Sequence, residues 1–204
     1  MKVVIIDYGI GNINSIVGAL SKLGVNYEFS RDHEVIKKAD KIILPGVGSF
    51  LHGMNNLKKF NLVDVLSEEV MNKNKPILGI CLGMQLFCKL SEENKVEVNG
   101  LGWLNASVKK FPKDCKIIPH MGWNVIETKN NSQFYKKNTS LDFYFVHSYY
   151  VSFNKLEKNI IIEKSNYNID FPAIIIKDNI FGVQFHPEKS QKDGLEFLRM
   201  FVNA

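Results

Sequence analysis

Residues 75–87, KPILGICLGMQLF, place Cys81 directly after an apolar run and between Gly79 and Gly83. The run PILGI is typical of a buried strand, and LGMQLFCKL after it has helical spacing. The segment therefore predicts a strand, a sharp turn and a helix, with glycines where other side chains would clash around the turn. The pattern G-x-C-x-G is the thiol counterpart of the serine nucleophile elbow, so Cys81 is a candidate nucleophile at a helix N-terminus. A structural turn around a small buried cysteine remains the alternative for the pentapeptide alone.

Outward from this segment, the first half of the chain alternates strand-like and helix-like patterns. Short apolar runs at 3–6, 25–29, 41–44 and 76–80 predict strands, and periodic apolar residues predict helices over 13–24 and 56–73. Continuous apolar strands separated by helices predict a parallel sheet that is covered on both faces.

The second half consists of short β-rich pieces. They are ASVKKF, WNVIET, DFYFV, YYVSF, NIIIEK, AIIIKD and IFGVQF, followed by an amphipathic helix over 190–203. The prediction is an α/β fold in a single domain, 1–204. Its central sheet is largely parallel and flanked by helices, with an antiparallel or mixed β extension of the same sheet in the C-terminal half.

Composition narrows the possible functions. The 204 residues carry a net charge of +5, but lysine and arginine are scattered and form no basic stripe interleaved with aromatics, so no nucleic-acid partner is expected. No apolar run is long enough for a signal peptide or a membrane span, so we expect a cytoplasmic protein without membrane contact. Cys81, Cys88 and Cys115 show no metal-ligand spacing, so neither a metal site nor another cofactor is expected. Cys88 is expected in the core, and Cys115 carries no motif.

A nucleophilic thiol needs a base, and the segment GVQFHPEKS offers His186 with Glu188 two residues later. In an extended segment these side chains point the same way, roughly 6.5 Å apart at the backbone, and Pro187 stiffens the arrangement. The carboxylate can then orient the imidazole and stabilise its charged form. A surface His–Glu pair at a strand end is the alternative interpretation.

A second group of backbone donors is predicted in LPGVGSF, residues 44–50. This segment follows a predicted strand, so it lies at the same sheet edge as Cys81. The amides of Val47 and Gly48, together with that of Leu82, can face an oxyanion. An ordinary strand-to-helix turn is the alternative.

The segments LPGVGSF, GICLGMQLF and GVQFHPEKS, in this order, resemble the class I, triad-type glutamine amidotransferases. More narrowly, IDYGIGN, ILPGVGSF, PHMGWN and FYFVHSYY are similar to the glutaminase subunits of imidazole glycerol phosphate synthase, from histidine biosynthesis. The resemblance extends from the first predicted strand to the final helix.

The resemblance implies hydrolysis of glutamine to glutamate and ammonia through a cysteinyl thioester. Cys81 would be the nucleophile, His186 the general base and then acid, and Glu188 its orienter. Residues implied to hold glutamine are Gln85, Glu93, His147, Ser148 and Tyr149.

The resemblance also implies a heterodimer with a (β/α)8-barrel cyclase subunit, which would use the ammonia to make imidazole glycerol phosphate and AICAR. The implied docking residues lie in PHMGWN: Pro119, His120, Met121, Trp123 and Asn124. Two alternatives stay open. One is a paralogous glutaminase that supplies ammonia for amidination of a bacterial surface-polysaccharide sugar, a possibility suggested by Trp103. The other is a non-glutaminase cysteine hydrolase or thiol sensor, although a sensor has no need of the His–Glu pair.

Overall fold

The computed structural model describes residues 1–93, 97–112, 117–128, 139–156 and 158–204. In the first half of the chain, strands and helices alternate. They are β1 Lys2–Ile6, α1 Ile13–Lys22, β2 Asn26–Ser30, α2 His33–Lys37, β3 Lys41–Leu44, α3 Phe50–Lys59, α4 Leu62–Ser67, a π-helical turn Glu68–Asn72, β4 Ile77–Ile80 and α5 Leu82–Leu86.

Strands dominate the second half, and a helix closes it. The elements are β5 Cys88–Ser91, β6 Val98–Asn99, β7 Leu104–Lys110, β8 His120–Glu127, β9 Ser140–His147, β10 Tyr149–Ser152, β11 Ile160–Tyr167, β12 Ile169–Lys177, β13 Ile180–Val183, a 3-10 turn Pro187–Lys189 and α6 Gln191–Asn203.

Within the described residues, the central sheet has seven strands in the order β11-β12-β13-β4-β3-β1-β2. From β13 to β2 all neighbours are parallel, whereas β12 and β11 add antiparallel strands at one edge. The parallel neighbours β3, β4 and β13 end at the same edge of the sheet. The segments around Val47, Cys81 and His186 leave from those three ends, so this edge brings the predicted site together.

Both faces of the sheet are buried, as the continuous apolar strands predict. Along β1, Val3 and Ile5 pack with α1, α6 and the β8–β9 hairpin, while Val4 and Ile6 pack with α2 to α5. Successive side chains of a strand point to opposite faces, so one strand serves both halves of the core.

The predicted β extension is only partly one sheet. The pieces NIIIEK, AIIIKD and IFGVQF do join the central sheet, as β11, β12 and β13. The other pieces form a separate four-stranded sheet, β10-β7-β5-β6, and a two-stranded hairpin, β8-β9. The hairpin covers one face of the central sheet through Ile126, Phe143 and Phe145, which are fully buried.

Two helical predictions were wrong in extent. The helix expected over 56–73 is interrupted at Asn61, whose φ of 54° lies in the left-handed region that asparagine tolerates better than most residues. The helix after Cys81 ends at Leu86, and Cys88 belongs to β5. Helix α2, which no apolar periodicity indicates, is capped by Asp32, whose carboxylate accepts the N–H groups of Glu34 and Val35.

Across the described parts of the chain, no helix combines the length and the apolar character needed to cross a bilayer.

Candidate active site

The turn at Cys81 is strained and tightly packed. Cys81 has φ 52° and ψ −107°, a conformation that residues with a side chain rarely adopt. A Cβ at Gly83 would lie 2.0 Å from the carbonyl oxygen of Leu44, and one at Gly79 would lie 2.5 Å from the ring of Phe87. Neither position admits a side chain, so the glycines are required for α5 to pack against β3 and β4.

His186 and Glu188 form the expected pair. The Nδ1 of His186 lies 2.8 Å from Oε1 of Glu188, and the two side chains are only 2% and 1% exposed. The local geometry differs from the expected extended segment, because Pro187 starts a 3-10 turn that carries the carboxylate back towards the ring. The backbone of His186 is held by hydrogen bonds with Tyr144 and Ser190.

The electrostatics of His186 favour the charged ring. Burial lowers its pKa, but the charge of Cys81 and the carboxylate of Glu188 outweigh burial and raise the pKa to about 10. The Nε2 of His186 is buried and makes no hydrogen bond to a described nitrogen or oxygen, and the side chain of Cys81 is the group that interacts with this side of the ring. Such a nitrogen is available to hold a proton for a group that enters the site.

Two groups that the sequence did not indicate flank the sulfur of Cys81. The Nε2 of Gln184 lies 3.6 Å from Sγ, and the carbonyl oxygen of Val146 lies 3.9 Å away on β9. Gln184 is fully buried. A polar amide in the otherwise apolar strand end IFGVQF, two residues before His186, was the signal that could have identified it.

The predicted residues converge on one cavity of about 240 Å³. Its lining is Val47, Gly48, Cys81, Leu82, Gln85, Glu93, Val146, His147, Ser148, Tyr149 and His186. Glu188 lies behind His186, so every predicted catalytic, oxyanion and glutamine-holding residue lies in or directly behind this cavity. Three larger hollows, of about 280, 390 and 450 Å³, contain neither cysteine nor histidine among their described lining residues.

The loop that carries Val47 and Gly48 is anchored at both ends. The hydroxyl of Tyr8, which sequence reasoning missed, donates to the carbonyl of Pro45 at 2.5 Å. Glu93 Oε2 accepts the N–H of Phe50 at 2.6 Å, at the start of α3. Glu93 therefore has a structural role in addition to lining the cavity.

The five residues of PHMGWN divide between surface and interior. Met121 and Trp123 lie on the outer side of β8 and are 64% and 50% exposed, and Pro119 is exposed before the strand. Asn124 is half-buried, whereas His120 is buried, so its side chain does not belong to the exposed surface.

The sequence also raised questions about Cys88, Trp103 and Cys115. Cys88 is fully buried in the core, as expected, and burial raises the pKa of its thiol. Trp103 is buried and stacks on Phe87 with ring centroids 5.1 Å apart. Cys115 lies outside the described residues. Among those described, no cluster of three or more histidine, cysteine or acidic side chains could hold a metal.

Residues 4–204 match the family described as glutamine amidotransferase class-I. The chain belongs to this family. A relative from Methanococcus maripaludis, named "Imidazole glycerol phosphate synthase subunit HisH 2", is 45% identical and is aligned over 98% of each chain. Relatives named as the same synthase subunit are 45% identical in Campylobacter jejuni ("HisH 1", 98% of each chain) and 45% identical in Oceanobacillus iheyensis (98% of this chain, 97% of the relative).

Solved structures agree on the fold. "Crystal structure of glutamine amidotransferase" superposes with a TM-score of 0.75 at 18% identity, covering 98% of this chain and 97% of the other. "Structure of PurLQS from Thermotoga maritima" gives a TM-score of 0.75 at 18% identity, covering 99% and 97%. These superpositions confirm the predicted class I amidotransferase fold, and the family match over residues 4–204 confirms the enzyme class.

Proposed function

We propose that this class I amidotransferase is the glutaminase subunit of imidazole glycerol phosphate synthase in histidine biosynthesis. The observation that carries the proposal is the convergence of Cys81 and the His186–Glu188 pair on one polar cavity. The names of the full-length relatives, about 45% identical, support the choice of synthase.

The geometry of the cavity supports the following chemistry. Because Cys81 and Glu188 raise the pKa of His186, its ring can accept the thiol proton as the sulfur attacks. The thiolate adds to the side-chain carboxamide of glutamine, and the amides of Val47, Gly48 and Leu82 stabilise the oxyanion. The imidazolium gives its proton to the departing nitrogen, which leaves as ammonia, and a glutamyl thioester remains on Cys81. His186 then takes a proton from water as it attacks the thioester, glutamate is released and the thiol proton is restored.

The remaining cavity residues suit a zwitterionic substrate. Glu93 presents a carboxylate for the ammonium group, and Gln85 with the corner His147–Tyr149 supplies polar and backbone groups for the amino-acid end. A buried charge needs such partners, because desolvation without them is costly.

A second chain is proposed to receive the ammonia. The exposed apolar side chains of Met121, Trp123 and Val125 lie along one strand, and an exposed aromatic and apolar strip of this kind suits an interface. The proposed partner is the (β/α)8-barrel cyclase, in a heterodimer, with Pro119 and Asn124 at the margin of the strip. We further propose that residues 1–204 form one domain and that the complex acts in the cytoplasm.

The surface-sugar alternative is not favoured. The relatives described above are all named as subunits of the histidine-pathway synthase. Trp103, the feature that suggested the alternative, is a buried core residue stacked on Phe87. A thiol sensor is equally disfavoured, since it would leave the buried His186–Glu188 pair without a role.

The test is reconstitution with a cyclase subunit. The isolated chain should release little glutamate from glutamine, and release should rise when the cyclase and its ligand are added. Cys81→Ala should abolish glutamine-dependent synthesis while synthesis from added ammonia continues. A chain that fails to bind the cyclase, or that is fully active alone, contradicts the proposal. If it instead supports a sugar-amidinating synthase, the alternative is correct.

A further inference from the structure

Two buried histidines stand directly opposite each other on the β8–β9 hairpin. The register pairs His120 with His147, and the Nδ1 of His120 lies 3.0 Å from the Nε2 of His147. Both rings sit among aromatic side chains: His120 stacks on Tyr167 and Phe145, and His147 packs against Phe111 and Phe171. Each ring therefore has few polar neighbours, and those few determine its tautomer.

The neighbouring groups assign one proton to each ring. His147 Nδ1 lies 2.8 Å from the carbonyl oxygen of Tyr149, which can only accept, so Nδ1 carries the proton and Nε2 accepts. His120 must then donate through its Nδ1, which leaves its Nε2 to accept from the amide of Asn124 at 3.2 Å. Burial lowers the pKa of His120 to about 4 and that of His147 to about 3, in agreement with two neutral rings.

The inner end of this chain of hydrogen bonds reaches the glutamine cavity. The carbonyl of Tyr149 accepts a second hydrogen bond, from Gln85 Nε2 at 3.0 Å. Gln85 also donates to Gln184 Oε1 at 3.1 Å, and the amide of Gln184 lies beside the sulfur of Cys81. His147 and Gln85, on different elements, are thus fixed to one carbonyl in the wall of the cavity.

The other end of this chain of hydrogen bonds lies in strand β8. Asn124 and His120 project from the inner side of this strand, whereas Met121 and Trp123 project from the exposed side. Asn124 is itself held by a hydrogen bond to the carbonyl of Asn166 on β11. A chain of side-chain hydrogen bonds therefore runs from the strand beneath the exposed strip to the cavity wall.

We propose that the His120–His147 pair is a positioning element that fixes the corner His147–Tyr149 and Gln85 in the geometry that binds glutamine. The inference rests on the proposed glutaminase function. His120 is 3% exposed and acts through His147, so it is a positioning residue and not a catalytic one. Two buried imidazoles in an aromatic setting would otherwise be replaceable by apolar rings at little cost.

The experiment compares His120→Phe and His120→Asn in the complex with the cyclase. Phenylalanine keeps the ring stacking and removes the donor to His147, so the KM for glutamine should rise roughly tenfold, as expected when one buried partner is lost. Ammonia-dependent synthesis and the rate of Cys81 alkylation by iodoacetamide should stay within about twofold. Asparagine places an N–H close to the position of Nδ1 and should restore most of the affinity. His33→Phe, at an exposed site in α2, is the matched control and should leave the KM unchanged.

The outcomes separate the two proposals. A wild-type complex without glutaminase activity contradicts the proposed function. A wild-type complex with normal activity and a His120→Phe variant of unchanged KM contradicts the positioning role, as does equal damage to ammonia-dependent synthesis. The tautomers are tested without any substitution, by the imidazole nitrogen NMR shifts of the unmodified chain. An Nε2–H tautomer at either His120 or His147 would overturn the inference even if the phenylalanine variant fails to fold.

Discussion

Replacing Gly83 by alanine tests the packing that holds Cys81 in place. The added Cβ would lie 2.0 Å from the carbonyl oxygen of Leu44, whereas real Cβ contacts are essentially never closer than 3.0 Å. The start of α5 and the end of β3 must therefore separate by about 1 Å at this point. Because the clashing atom belongs to the backbone, no side-chain rotation can relieve the contact.

The expected cost is large for a single methyl group. Overpacking in a tightly packed interior costs typically 1–3 kcal/mol, and a backbone-to-backbone clash belongs at about the upper end, near 3 kcal/mol. The same displacement moves Cys81 and the Leu82 amide away from Gly48 across the cavity. A misplacement of about 1 Å in an active site can reduce the rate on the order of 100-fold, so glutaminase activity should fall by about that factor in the folded variant.

Gly18→Ala is the matched control. Gly18 is exposed in the middle of α1, and a Cβ there meets nothing within 4 Å. Alanine is favoured over glycine in a helix interior by about 0.8–1.0 kcal/mol, so this variant should be more stable by roughly that amount with unchanged activity. The assays are urea unfolding monitored by circular dichroism and glutamate release in the complex. If Gly83→Ala unfolds at the same urea concentration as the wild type and keeps its activity, the account of the elbow is wrong.

Three further changes test other parts of the site. Glu188→Gln removes a carboxylate that raises the pKa of His186. The kcat should therefore fall by roughly 10²–10⁴-fold, and the alkaline limb of the pH–rate profile should move to lower pH. An unchanged profile would contradict the pairing of Glu188 with His186. Tyr8→Phe removes the hydrogen bond to the carbonyl oxygen of Pro45, so the free energy of unfolding should fall by about 1 kcal/mol and kcat by roughly tenfold. A normal kcat would show that the loop carrying Val47 and Gly48 needs no such anchor. Since burial holds the pKa values of His120 and His147 below the ordinary 6.5, the unfolded chain binds protons first as the pH falls. Stability should therefore decrease between pH 6.5 and 5 by roughly 2 kcal/mol per histidine, and urea midpoints that stay constant over this range would refute it.

The sequence predicted those features that depend on local pattern. Apolar runs located β1, β3 and β4, and the spacing of the first helix matched α1, which ends just before Gly24 in the left-handed conformation. The elbow and the HPE segment were also recognisable, because each consists of a few residues in fixed spacing. Local pattern overestimated helices where a single residue interrupts them. Asn61 stops α3 with a positive φ, and the apolar spacing around Cys88 suits a buried strand as well as a helix.

Features that depend on long-range contact were not predictable in this way. Tyr8 and Pro45 are 37 positions apart and Gln184 and Cys81 are 103 apart, so neither hydrogen bond leaves a periodic trace in the sequence. The burial of His120 beside His147 depends on the register of β8 against β9. The alternation of polar and apolar residues along the two strands does not by itself determine this register. Without that register, PHMGWN gives five equivalent docking candidates, whereas the strand separates an exposed side from an inner side.

The positions of the three motifs at strand ends explain why the sequence predicted that their residues meet in one cavity. Each of the three motifs follows an apolar strand, and parallel strands in a sheet end at one edge whatever their order. The observed order β13-β4-β3 then puts His186 and the Val47–Gly48 loop on either side of Cys81. The sequence does not reveal this strand order, but the order was not needed to expect that the three segments meet. The order was needed to predict Gln184, because only the adjacency of β13 and β4 brings its side chain to the sulfur of Cys81. Gln184 and Tyr8 escaped prediction, and His120 was predicted only as a docking residue. Substitutions at these three positions therefore test more of the three-dimensional argument than substitutions of the triad itself.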